Sequence, residues 1–160
     1  MFLPSSFGLF STDDTSAKFY RTFGNETYMN QFIGFYKENN INSSYRTLNI
    51  GSLNLLLLTL DYGADDAELE WGASIIEKYP NHKVIITTHS YLYRDGTTHD
   101  ANDLYSVPSS DGGNNGDAIW EKLVKKYSNI SLVLSGHDHV YSRSQMMLDA
   151  TTIAAGLLHD

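Results

Sequence analysis

Short apolar runs alternate with segments of helical spacing from residue 45 onward, and this alternation predicts the elements. "SYRTLNI" and "SLNLLLLTLDY" flank Gly51 and read as two strands joined by a tight turn. Leu55 to Leu58 form a continuous apolar run, the pattern of a strand buried on both faces. "ADDAELEWGASIIEKYP" reads as a helix, capped by Asp65 or Asp66 and stopped by Pro80. Its apolar face is Leu69, Ala73, Ile76 and Tyr79. "KVIITTHS" is the next buried strand, followed by a Gly-, Asp-, Asn- and Ser-rich loop over about residues 90–116. "DAIWEKLVKKY" predicts a second helix. Ile119, Leu123, Val124 and Tyr127 face inward, and Glu121 and Lys125 pair at i, i+4. "ISLVLSG" is the third buried strand. Residues 1–40 are the least legible; "NETYMNQFIGFYKENN" predicts a short helix with Met29, Phe32, Ile33 and Tyr36 at helical spacing.

This order marks an α/β sheet, with right-handed crossovers placing both helices on one face. Ligands bind such sheets at the carboxyl ends of strands. His89 stands at the end of "KVIITT", and His137 and His139 stand at the end of "ISLVLS". Three imidazoles are therefore expected at one sheet edge. If the strand stays extended, His137 and His139 share a side, and Tyr141 and Arg143 continue it.

Composition narrows the chemistry. The 160 residues suffice for one domain with a modest core, and a net charge of −8 argues against a general nucleic-acid or anionic-membrane binder. A small phosphorylated substrate stays possible, because a bound metal reverses charge locally. The absence of cysteine excludes disulfides, thiolate zinc sites and a Cys nucleophile. No apolar stretch approaches the roughly 18 residues of a membrane span. "MFLPSSFGLF" lacks a basic leader region and is a poor signal peptide, so the compartment stays open. Asn25, Asn42 and Asn129 begin Asn-x-Ser/Thr triplets, a pattern common by chance.

A lone histidine at a strand end is usually a hydrogen-bonded polar residue. Gly-His-x-His at one strand end with Thr-His-Ser at another is a stronger signal for a metal. The remaining histidines lack that context. His82 is expected solvated at a helix–strand junction, His99 on the surface of the long loop rather than in contact with substrate there, and His159 beside the terminus.

Over about Tyr45 to Arg143, "LLLLTLDYG", "VIITTHSYL" and "LVLSGHDHVYSR" resemble the calcineurin-like metallophosphoesterase family, closest to its purple acid phosphatase-like branch. The resemblance implies the C-terminal half of a four-layer αββα fold, a β-sandwich flanked by helices. Residues 1–160 then form a single partial domain, with residues 1–44 as lead-in and 45–148 as core. It also implies phosphate mono- or diester hydrolysis at two metal ions, such as Fe, Zn or Mn. His89 and His137 match ligands of the second metal, and His139 matches a ligand of the first.

The family's series of Asp-x-His, Gly-Asp and Gly-Asn-His-Asp/Glu motifs does not occur ahead of "VIITTHSYL", and "FGNETY" lacks the catalytic His. Three neutral imidazoles leave two dications without a bridging carboxylate, so at most one ion is expected on this chain alone. Asp61 lies at the same edge if its strand is parallel, though its context before Tyr62-Gly63 favours a turn-forming role. Asp138 is expected to point away from the histidines; Tyr141 and Arg143 either meet substrate or pack and solvate. Two functions compete: a phosphoesterase on a phosphate-ester substrate, or an inactive metal-binding or structural remnant that needs a partner chain. The missing half is expected to leave "NLLLLTL" as an unpaired edge, promoting self-association or a complementing chain.

Overall fold

The computed structural model describes residues 26–38, 41–104, 106–107, 112–138, 143–148 and 151–157, the last two segments by backbone path alone. A short helix α1 (Glu26–Met29) precedes strands β1 (Gly34–Phe35), β2 (Ser44–Ile50) and β3 (Leu53–Thr59). Helix α2 (Asp66–Lys78) leads to β4 (Lys83–Thr87). Helix α3 (Gly116–Lys122) and a 3-10 turn (Val124–Lys126) lead to β5 (Ile130–Ser135), β6 (Arg143–Leu148) and β7 (Thr151–Leu157). All strands join one mixed sheet of order β1-β2-β3-β4-β5-β7-β6, so the architecture is α/β.

The predicted hairpin forms. Ile50 pairs with Leu53 across the Gly51-Ser52 turn, and Gly51 takes a φ of +59°, a left-handed conformation that glycine adopts without steric cost. From β3 the sheet turns parallel: β3, β4, β5 and β7 run in one direction. Their carboxyl ends therefore lie along one edge.

One face of the sheet carries the core. Leu56 and Leu58 of β3, Val84 and Ile86 of β4, and Ile130 and Val133 of β5 are all fully buried. A register shift at Val84/Ile85 explains why Ile130 and Val133, three apart, both point inward. Helix α2 buries Leu69, Gly72, Ile75 and Ile76. A methyl on Gly72 would lie 3.5 Å from Leu58 and Leu60 and 3.8 Å from Leu123, so both helical segments meet on this face. The opposite face, with Leu55, Leu57, Ile85, Leu132 and Leu134, is only half-buried. The expectation of full burial on both faces is corrected: among the described residues, the helical segments Asp66–Lys78 and Gly116–Lys122 pack on the other side.

Capping sets the helix limits. The Asp65 carboxylate accepts from the Glu68 N–H at 2.8 Å, and the Asn115 side chain accepts from the Ala118 N–H at 2.9 Å. Ile119, Leu123 and Val124 are buried and Tyr127 partly so, as the spacing predicts, and Lys125 pairs with Glu121. The segment is not one helix, however: Leu123 leaves helical geometry with φ −129°, and the chain continues as a 3-10 turn.

Three further expectations change. The helix in "NETYMNQFIGFYKENN" stops at Met29, because Gly34 and Phe35 pair with Tyr45 and Ser44 instead. A Cβ on Gly34 would come 2.7 Å from the Tyr45 ring, so the pairing uses the missing side chain. "NLLLLTL" is not an edge: β2 covers it on one side and β4 on the other, since the hairpin folds back upon it. Last, the segment after Arg143, left without assigned elements in the sequence reading, forms β6 and β7, and β7 inserts beside β5.

Candidate functional site

Backbone hydrogen bonds tie three strand exits together. Leu60 N–H donates to Thr87 O at 2.9 Å, Thr88 N–H to Leu134 O at 3.0 Å, and Gly136 N–H to His89 O at 3.0 Å. The last bond fixes the two histidine-bearing segments against each other. A cleft of about 300 Å³ opens here, lined by Asn42, Thr59, Leu60, Asp61, Tyr62, Thr87, Thr88 and His89.

The rings of His89 and His137 meet edge to face, with centroids 4.9 Å apart. Tyr62 packs against both, at 5.5 Å from His89 and stacked at 5.7 Å from His137. His137 does not continue β5. The strand ends at Ser135, and His137 takes a φ of +87°. The expectation that strand alternation orients it is therefore corrected: a left-handed turn does so. That conformation is unusual for a residue with a Cβ and marks local strain held by its surroundings.

Asp61 follows β3, and β3 is parallel to β4, so its carboxylate shares the edge with His89. The Asn42 amide donates to Oδ2 at 3.1 Å and the Tyr62 N–H to Oδ1 at 2.8 Å. Its backbone N–H donates to Glu68 Oε1 at 2.8 Å and to Ser43 Oγ at 3.2 Å. Glu68 itself is buried and accepts from the Ser43 hydroxyl at 2.6 Å. Burial pushes its carboxyl above the ordinary value of 4.5, and the two hydrogen bonds oppose that shift.

The long loop is folded rather than open. Leu92 and Thr98 form a β-bridge, and Tyr93 N–H donates to Thr97 O at 2.8 Å around a turn containing Gly96 at φ +91°. His99 lies in this ribbon and is wholly buried, against the expected surface position. The loop's own pairing carries it inward: His99 N–H donates to Tyr91 O at 2.9 Å, and His99 O accepts from Asp117 N–H at 3.0 Å. Its Nε2 lies 3.2 Å from Asp138 Oδ2, and its ring lies 5.6 Å from that of His137. Asp138 thus faces the ribbon, where Arg94 Nη2 also approaches it at 3.7 Å. His82 is half-buried, edge-on to Tyr79 at 5.1 Å.

Of the predicted site residues, His89, His137 and Asp61 lie at one edge. His139 and Tyr141 lie outside the described residues, as does His159, which was expected only beside the terminus, and Arg143 is placed only by backbone, as the first residue of β6. Tyr62 and His99 were not singled out as site residues; each draws its position from partners distant in sequence. The donor chemistry of paired imidazoles suits zinc, iron or manganese. Among the described residues, no group of three or more His, Cys, Asp or Glu is placed to hold an ion. The ligand type fits, and a complete centre requires donors beyond His89 and His137.

No protein-family profile matches the chain. It is 25% identical over 139 residues, 86% of its length, to the uncharacterized protein YvnB of Bacillus subtilis (strain 168). That stretch spans 10% of the length of YvnB. No helix among the described residues is long and apolar enough to cross a membrane.

Proposed function

We propose that the chain supplies the histidine-bearing part of a metal-dependent phosphoesterase site acting on a phosphate mono- or diester. The observation that carries this reading is the pairing of His89 and His137, 4.9 Å apart, on neighbouring parallel strand exits beside a cleft. Within the metallophosphoesterase reading, the half-buried apolar face is where a second sheet of the sandwich would pack. A metal ion held by the imidazoles of His89 and His137 would polarise a phosphoryl oxygen and lower the pKa of a water.

The chain's own residues have distinct parts in this scheme. His89 and His137 would hold one ion, and the family resemblance assigns His139 to the other. Tyr62 keeps the two rings in place by packing against both. Asn42 and the Tyr62 N–H hold the Asp61 carboxylate in the cleft wall. Neutral imidazoles alone leave a pair of dications without charge compensation, so activity requires carboxylate donors from elsewhere. The missing carboxylate and catalytic His of the family's motifs favour a second reading for the isolated chain, an inactive metal-binding module.

The test is zinc or manganese uptake by the purified chain, measured by elemental analysis after dialysis, with a chromogenic phosphate ester as substrate. The expected result is about one ion per chain, lost in His137→Ala, with negligible hydrolysis. Hydrolysis abolished by His137→Ala would instead place the whole active centre in this chain. Failure to bind either metal would overturn the proposal.

A further inference from the structure

We propose that the buried His99–Asp138 pair is a positioning device that holds the His137 imidazole against Tyr62 and His89. The inference begins with the backbone of His137. Its φ of +87° is costly for a residue with a Cβ, so neighbouring structure must hold it. The next residue provides the anchor. The Asp138 side chain is 1% exposed, and its Oδ2 sits 3.2 Å from Nε2 of His99, whose side chain is 0% exposed.

The anchor is rigid on the far side. His99 is fixed through its own N–H to Tyr91 O and its carbonyl to Asp117 N–H, which joins it to the start of α3. Its ring is set edge-on to Tyr93 at 5.0 Å. Among the described residues, neither oxygen of Asp138 and neither ring nitrogen of His99 has a hydrogen-bond partner; at 3.2 Å their contact has ion-pair distance without hydrogen-bond alignment, and Asp103 Oδ2 lies 3.7 Å from Nδ1 of the same ring. Arg94 stands farther off, at 3.7 Å. A buried carboxylate is strongly disfavoured without a partner. With the His99 imidazole removed, Asp138 is driven toward solvent. Because Asp138 is bonded to His137, that movement unwinds the left-handed turn and carries the His137 ring off Tyr62.

His99 and Asp138 thus act through His137. The consequence for metal binding rests on the proposed function, whereas the ring alignment is measured without metal. In the metal-free full chain, His99→Asn is expected to abolish the NMR cross-relaxation between the His137 and Tyr62 rings. His99→Gln, whose amide nitrogen reaches the position of the imidazole Nε2, should restore it. The same series should show zinc affinity falling about 10-fold or more in His99→Asn and recovering in His99→Gln, the range seen when groups supporting a metal-bound histidine are removed. Should His99→Asn fail to fold, Asp138→Ala, which removes the anchor itself, gives the same readout, with unchanged circular dichroism as the check on folding. Wild-type ring contacts and zinc affinity in a folded His99→Asn or Asp138→Ala chain would overturn the inference. A wild-type chain that shows the ring contacts but binds no zinc would sink the phosphoesterase reading alone, and the ring contacts of the variants would still decide this one.

Discussion

Replacing Gly116 by alanine is expected to lower stability by about 3 kcal/mol, although alanine is the better helix former by roughly 1 kcal/mol. Gly116 opens α3, with Asn115 as its cap. A Cβ at this position would overlap Tyr91 O and stand 2.7 Å from His99 N and 3.0 Å from Tyr91 C. These are backbone atoms and cannot rotate aside. Relief requires moving α3 away from the ribbon that carries His99. That movement opens the His99-to-Tyr91 and Asp117-to-His99 hydrogen bonds, now 2.9 and 3.0 Å long. Each contributes about 0.5–1.5 kcal/mol net, and overpacking costs a further ~1–3 kcal/mol. Subtracting the propensity gain leaves a loss centred near 3 kcal/mol, or a fall of about 6–12 °C in Tm for a chain of this size. Thermal melting followed by circular dichroism measures it. Gly51→Ala is the comparison, since nothing lies within 4 Å of its added methyl. There only the left-handed φ is penalised, at about 1–2 kcal/mol. An unchanged or raised Tm for Gly116→Ala would refute the close approach of α3 to the ribbon.

Other perturbations probe the same edge. Glu68→Gln keeps the acceptor used by Ser43 and the Asp61 N–H but removes the buried charge. Because burial raises the Glu68 pKa, the native state binds more protons than the unfolded chain above pH 4.5. The stability due to this group is present in full below 4.5 and is lost as pH rises through the raised value. The Tm of Glu68→Gln relative to wild type should therefore increase from pH 4 to pH 7, and a constant difference would contradict the assignment. Asn114 is buried and donates to Ala64 O at 2.8 Å and to Asp66 Oδ1 at 2.9 Å, while Lys122 donates to its carbonyl at 2.8 Å. Asn114→Ala leaves Ala64 O without that side-chain donor and should shift the urea midpoint by an amount worth about 1–3 kcal/mol; an unchanged midpoint would count against it.

Local patterns account for much of the fold. The Gly51 turn, the runs in β3, β4 and β5, and the caps of α2 and α3 are each written in a few adjacent residues. The strand–helix–strand alternation from β3 to β5 follows from them, and it places His89, His137 and Asp61 at one edge because parallel strands share their carboxyl ends. Elsewhere local spacing misleads. Ile33, at helical spacing with Met29, follows a helix that ends early, because pairing of Gly34 with Tyr45 outweighs a marginal helix. The long loop reads as polar and exposed, yet its Tyr91–His99 ribbon packs against α3.

What the residues alone establish is therefore the set of elements and the edge where imidazoles gather, since periodicity and capping are short-range. The burial of His99, the left-handed turn at His137, the packing of Tyr62 between two rings, and the insertion of β7 beside β5 belong to the tertiary structure. Each depends on groups far apart in sequence meeting in space: His99 with Asp138, Tyr62 with His89 and His137, Leu132 with Ala154. No periodicity encodes such meetings; they arise only once the sheet has closed and the polar atoms left inside must find partners.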